Sequence, residues 1–190
     1  TGAHHKPLGL PNEQALVGRG VNYCAACDGM MYRGKTVAVV GGGNSAVADA
    51  LHLSRIAKKV YLIHRRDQFR AAATLVDRVK GAENVELILD STVVGLLGED
   101  RLSAVTVENK FTHEQRELAV SGLFVAVGIL PRTELVRGQV ELDEGGFIVT
   151  DRFMQTNVPG VFAAGDVVLR CTDDLSRGRL ARETQLARLL

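Results

Sequence analysis

The chain has 190 residues, 46% of them hydrophobic, which is enough for one full domain or for one domain plus a piece of another and leaves disorder to the ends. Its 23 basic and 22 acidic residues nearly cancel to a net charge of +1, and no basic run or aromatic–basic stripe stands out, so nucleic acid is not an expected partner. No secretory leader or membrane-spanning apolar run is evident, and three cysteines are too few for a secreted disulfide framework, so the cytoplasm is the expected compartment.

In chain order, the pair Cys24-x-x-Cys27 comes first, with Asp28 directly after it. The run KTVAVV, residues 35 to 40, is short, apolar and β-rich, and it stops at Gly41-Gly42-Gly43. Residues 45 to 57 then place Val47, Ala50, Leu51 and Ile56 at helical spacing, and KVYLIH, residues 59 to 64, returns to strand character. Strand, helix and strand in this order form a β-α-β unit of a parallel sheet, and residues 69 to 80 predict a second helix. Beyond it, VELILDSTVVGLLG, LSAVTVEN and QRELAVSGLFVAVG read as successive strands. Turns fall at residues 98 to 100 and 110 to 114, with a bend in the first run at Thr92 or Gly95. Gly145-Gly146 precedes a strand FIVTDR, and VPGVFAAGDVV ends a further apolar run in Gly165-Asp166. The last stretch has leucines at 180, 186, 189 and 190 on a charged background, which suits an amphipathic helix.

Gly41-x-Gly43-x-x-Ala46 sits where the first strand gives way to the helix. A first glycine permits the tight turn, a second lets a pyrophosphate approach the backbone, and the small third residue lets helix pack on strand. The N–H groups at the helix start then bind the phosphates, where Asn44 and Ser45 can add side-chain hydrogen bonds. The plain alternative is a turn that only joins strand and helix. The second strand ends not in an acid but in HRRDQFR, with His64, Arg65, Arg66 and, one helical turn on, Arg70. Guanidinium groups form paired, charge-assisted hydrogen bonds with phosphate oxygens, so a cluster at the adenosine ribose favours NADPH over NADH. Its alternative is a solvated basic helix start.

Three readings stand for Cys24 and Cys27. They could be half of a zinc site, although no second close pair accompanies them and Cys171 and the histidines are scattered. They could be inert. The chemistry fits a reversible disulfide better, since exchange needs an attacking thiolate, a nearby resolving thiol and a proton donor or acceptor, the last of which Asp28 can supply.

At this point five stretches, CAACDG, VAVVGGGNSAVADAL, VYLIHRRDQFR, GLFVAVGILPRTEL and TNVPGVFAAGDV, closely resemble low-molecular-weight, bacterial-type thioredoxin reductases, in the same order and over roughly residues 1 to 168. The resemblance implies an α/β fold: a Rossmann-like, three-layer NADPH-binding domain with a β-meander over residues 17 to 127, carrying the redox pair. Residues 1 to 16 and 128 to 190 would form part of a second, FAD-type dinucleotide-binding domain. It implies that electrons pass from NADPH to FAD, to the disulfide and then to thioredoxin or a similar small dithiol protein. In that scheme Cys27 is the thiol nearest the flavin, Cys24 attacks thioredoxin, and Asp28 is the acid/base. Gly41, Gly43, Asn44, Ser45 and Ala46 match the pyrophosphate turn, His64, Arg65, Arg66 and Arg70 the 2′-phosphate site, and Gly165 and Asp166 the flavin's ribityl and phosphate motif.

Two departures shape what is expected of these 190 residues. The family's first FAD half-domain, with its own glycine turn, is expected to be missing ahead of Thr1. After GDV, Cys171 stands where the family has a glutamine, and the charged tail does not match, as a shifted reading frame would leave it. The expectation is therefore a fragment with weak or no FAD binding and little thioredoxin reduction on its own. Its rival is a non-catalytic NADPH-binding remnant that self-associates as a homo-oligomer through uncovered strands.

Overall fold

The computed structural model describes residues 2–168, and the expected tail helix and Cys171 lie outside the described residues. The chain divides into two compact units, one of Lys6–Val127 and one drawing on both ends of the chain, Thr1–His5 and Gly128–Leu190. In order the elements are β1 (Ala3–His5), α1 (Glu13–Leu16), β2 (Val21–Asn22), α2 (Ala25–Asp28), β3 (Thr36–Val40), α3 (Asn44–Ser54), β4 (Lys59–Ile63) and α4 (Ala73–Lys80). The remaining strands are β5 (Val85–Ile88), β6 (Ser91–Leu97), β7 (Ala104–Asn109), β8 (Gln115–Ala119), β9 (Gly122–Val125) and β10 (Ile129–Pro131).

The larger unit has three layers. Its centre is a five-stranded sheet in the order β2-β9-β3-β4-β5, with each neighbouring pair parallel. Alternation along each strand sends side chains to opposite faces, and here both faces are apolar. Val37, Val39, Val60, Leu62 and Phe124 face one way and pack with Ala46, Val47, Ala50 and Leu53 of α3 and Val79 of α4. Ala38, Val40, Ile63, Leu123 and Val125 face the other way, against Val93, Leu96, Val105, Val107 and Leu118. Those last residues line the inner face of an antiparallel meander, β6-β7-β8. The meander is also tied to the sheet edge, where Glu86 of β5 pairs with Arg116 of β8 and Lys59 of β4.

The larger unit begins at Lys6, not at residue 17 as expected. Leu16 is 1% exposed within the meander-side core, and Leu8 and Leu10 pack against the same cluster, so burial draws residues 6 to 16 into this unit. In the smaller unit β1 and β10 form an antiparallel ribbon, and Ile148, Val167 and Val168 make a small core.

Five stretches differ from expectation for identifiable reasons. The helix predicted from residue 69 starts only at Ala73, because the N–H groups of Arg70 and Ala72 bond to Gly42 and Asn44 rather than entering a helix. The run from 85 to 97 is two strands in different sheets, broken at Asp90 with φ 52°, and the irregularity lies between Val93 and Gly95. The run from 115 splits at Val120 and Ser121, where the chain passes from the meander to the centre of the parallel sheet. FIVTDR and VPGVFAAGDVV make isolated bridges, Ile148 with Leu142 and Val168 and Gln155 with Phe162, instead of strands.

Candidate active site

The glycine turn joins the carboxyl end of β3 to α3, and its glycines meet different constraints. At Gly41, with φ 148°, a Cβ would collide with the Ala126 carbonyl and crowd the Ala46 methyl. Ala46 is fully buried, so helix and strand approach closely only because both residues are small. A Cβ on Gly42 would fall inside the His64 ring. At Gly43, the N-cap of α3, a Cβ would meet nothing within 4 Å, so open space lies in front of the N–H groups that begin the helix. Ser45 is exposed beside that space. Such a cradle suits a phosphate group.

The basic segment at the end of β4 folds back over this turn. Arg65, Arg66 and Arg70 are exposed, and among the described residues they make no ion pair. His64 differs from them: it is 5% exposed, stacks on Phe69 with ring centroids 5.3 Å apart and bonds through Nε2 to the Gln68 carbonyl oxygen at 3.1 Å. Burial pushes its pKa down, the hydrogen bond to the Gln68 carbonyl pulls it up against that, and Arg70, Arg65 and Arg66 each add a smaller downward push, so the net direction is down. His64 is therefore a neutral packing piece beneath Gly42, while the three arginines form the cationic surface. The Arg70 N–H donates to the Gly42 carbonyl at 2.7 Å, and the Ala72 N–H to Asn44 Oδ1 at 2.8 Å, so glycine turn and basic loop are one assembly.

Cys24 and Cys27 form a disulfide with Cα atoms 5.3 Å apart, Cys24 at the N-cap of the one-turn helix α2 and Cys27 within it. Cys24 caps that helix, its Sγ accepting the Cys27 N–H at 3.1 Å, and it is half-buried, whereas Cys27 is exposed. Asp28 is half-buried, and its N–H donates to the Cys24 carbonyl at 3.1 Å. The loop is pinned at its base from both sides. Asn22, 4% exposed, donates through Nδ2 to the Tyr32 hydroxyl at 2.8 Å and to the Gly20 carbonyl at 3.1 Å. The Tyr32 ring lies against Gly122, where a Cβ would not fit, and meets Phe124 edge-on at 5.3 Å. Gly29 rests on Leu53, where a side chain would come within 3.1 Å. The disulfide loop follows the carboxyl end of β2 and the glycine turn follows the carboxyl end of β3, so both leave the same edge of the parallel sheet. Gly165, with φ 86°, and exposed Asp166 lie in the other unit.

A glycine turn opening a helix and a Cys24–Cys27 disulfide beside one parallel sheet narrow the choice of family, and comparison with known proteins decides it. A family model described as pyridine nucleotide-disulphide oxidoreductase matches residues 1–187. The chain belongs to this family. A thioredoxin reductase of Streptomyces clavuligerus is 47% identical over 169 residues, covering 88% of this chain and 52% of the relative. A 34.2 kDa protein in the rubredoxin operon of Clostridium pasteurianum is 39% identical over 185 residues, covering 95% of this chain and 60% of that one. The solved thioredoxin reductase of Lactococcus lactis superposes with a TM-score of 0.82 at 42% identity, over 90% of this chain and 56% of that chain. The thioredoxin reductase of T. acidophilum gives 0.81 at 35% identity, over 88% and 56%. The chain thus spans about half the length of the thioredoxin reductases it matches.

Within this chain several supporting residues carry no local sequence signal. Glu13 is 4% exposed and accepts the N–H groups of Leu8 at 2.9 Å, Gly9 at 2.8 Å and Leu10 at 3.3 Å, together with the Tyr23 hydroxyl at 3.2 Å. Burial, the Glu13 charge and this hydrogen bond all raise the Tyr23 pKa. A carboxylate in a polar stretch reads as solvated, and no local signal marks Glu13, Asn22 or Tyr32 as buried partners. Gly42, which approaches His64 most closely, occupies a variable position of the glycine pattern, so the pattern does not single it out. Among the described residues no helix is long and apolar enough to cross a membrane.

Proposed function

We propose that this chain carries the NADPH-binding unit and the redox disulfide of a thioredoxin-reductase-type enzyme. The observation that carries the reading is that one compact unit, Lys6–Val127, holds both the Cys24–Cys27 disulfide and a glycine turn backed by exposed arginines that make no ion pair among the described residues. The smaller unit then corresponds to part of an FAD-type domain, with Gly165 and Asp166 on its flavin side. A bound NADPH would supply a hydride, and reduction of the disulfide would also need a flavin, because a nicotinamide does not reduce a disulfide directly at a useful rate. Gly41, Gly43, Ser45 and Ala46 shape the pyrophosphate seat, and Arg65, Arg66 and Arg70 bind the 2′-phosphate.

Once the disulfide is reduced, the Cys27 N–H that already points at Cys24 Sγ stabilises a thiolate there, which makes Cys24 the attacking sulfur. Its attack on a partner disulfide forms a mixed disulfide and releases one partner thiolate. Cys27 then attacks Cys24 Sγ, which restores the internal disulfide and releases the second thiolate, and Asp28 delivers a proton to the leaving sulfur. The partner is thioredoxin or a similar small dithiol protein, and the cytoplasm is the compartment that suits the exchange.

A direct test needs no flavin. The chain is reduced with dithiothreitol, desalted and mixed with oxidised thioredoxin, and thiols are counted on each protein. Two new thiols on thioredoxin and a re-formed Cys24–Cys27 bond are expected, with none in Cys24→Ser and none when NADPH alone replaces dithiothreitol. Failure of the reduced chain to transfer electrons would remove thioredoxin as partner. A second reading is favoured by exposed Ile129, Leu130, Leu135, Phe153, Met154 and Phe162 in the smaller unit. It is an NADPH-binding chain that self-associates through this apolar surface without turnover.

A further inference from the structure

We infer that Asn44 is a positioning residue for cofactor choice: its side chain locks the basic loop onto the glycine turn and so presents Arg65, Arg66 and Arg70 as one preorganised 2′-phosphate seat. The inference rests on the NADPH reading above. Asn44 opens α3 and is exposed where a phosphate ligand is expected, but its Oδ1 is already committed. That oxygen accepts the Ala72 N–H at 2.8 Å, across 28 positions of chain. A phosphate oxygen could not satisfy Oδ1, since both are acceptors.

The lock has a second strut. The Arg70 N–H donates to the Gly42 carbonyl at 2.7 Å, so two donors, two residues apart in the loop, are captured by two acceptors, two residues apart in the turn. Beneath them His64 fills the space under Gly42 and carries the loop on Phe69 and the Gln68 carbonyl. Arg65, Arg66 and Arg70 all lie on the segment bounded by β4 and this lock. Three long, exposed side chains on a loose loop would lose both loop and rotamer freedom on binding a phosphate. A loop already fastened loses only the latter, and that saving applies to the 2′-phosphate alone. The pyrophosphate seat at Gly43 does not depend on the lock, because α3 and the buried Ala46 hold it.

Two variants remove the lock from opposite sides. Asn44→Ala deletes the acceptor. Ala72→Pro removes the donor at a residue whose φ of −57° suits proline, and its ring carbon, standing where the N–H pointed, pushes the unaltered Asn44 side chain off the loop. Dissociation constants for NADP+ and NAD+ are measured by calorimetry on the full chain and both variants, with thermal unfolding as the check of folding. Each variant is expected to lower the NADP+ preference by about 5- to 10-fold while NAD+ affinity stays within about twofold. The double variant is expected to lose no more than either single one. If Asn44→Ala weakens both dinucleotides equally and Ala72→Pro changes neither, Asn44 is a phosphate ligand only and the inference is overturned. An unchanged preference in both variants overturns it too. A wild-type chain with no preference for NADP+ would instead overturn the NADPH reading, and this inference with it.

Discussion

Replacing Arg65 and Arg66 together by alanine is expected to weaken NADPH binding by about 30- to 100-fold and to leave NADH binding within about twofold. Both side chains are exposed and neither is held in an ion pair among the described residues, so removing them strips no partner from the fold. A charge-assisted hydrogen bond in a dry site contributes roughly 1.5 to 3 kcal/mol. Solvent screening at an exposed strand end brings each guanidinium down to about 1 to 1.5 kcal/mol. Two of them therefore account for about 2 to 3 kcal/mol, which sets the expected factor. Calorimetric titration with each cofactor measures both numbers at once. Equal losses for NADPH and NADH would mean that the arginines act on a feature common to both, and the 2′-phosphate assignment would fall.

The second large effect separates two adjacent glycines. Gly42→Ala is expected to destabilise the larger unit by about 2 to 3 kcal/mol, because the new methyl group would fall inside the His64 ring. That ring has nowhere to go, held between the turn and Phe69 and bonded to the Gln68 carbonyl. Gly43→Ala is expected to leave thermal unfolding nearly unchanged, since the position is open and its φ of −92° suits any residue. It should nevertheless abolish dinucleotide binding, because the methyl group occupies the space through which a pyrophosphate reaches the helix N–H groups. Melting curves and NADPH titrations on the two variants give opposite patterns if the turn is a phosphate cradle. Unimpaired NADPH binding by Gly43→Ala would make it a connecting turn only.

Both effects trace to parts of the chain that a reader of the sequence can find. The β3-turn-α3-β4 unit is legible because Val37, Val39, Val60 and Leu62 alternate while Ala46, Val47, Ala50 and Leu53 recur at helical spacing, and glycines punctuate the change of period. The meander is less so: apolar alternation runs on through Leu89, and only the left-handed backbone at Asp90 shows where one sheet ends and the next begins. The alanines at 71 to 73 favour a helix by propensity, yet Gly42 and Asn44 capture the N–H groups of Arg70 and Ala72, so tertiary hydrogen bonds override it. For the candidate site the sequence identifies the cysteines, the glycines and the arginines, residues whose chemistry is written in their type. His64 was grouped with the arginines by charge and position, and only packing reveals it as the neutral support under Gly42. Glu13, Asn22 and Tyr32, which anchor the disulfide loop, gain their roles from tertiary partners such as Tyr23 for Glu13 and Phe124 for Tyr32, which no local pattern reveals.

The most direct measurement is an equilibrium titration of the wild-type chain with NADPH and, separately, with NADH. The account expects NADPH to bind at least about 30-fold more tightly, the contribution of two screened guanidinium–phosphate contacts. Equal affinity for the two cofactors, or affinity for neither, would contradict it.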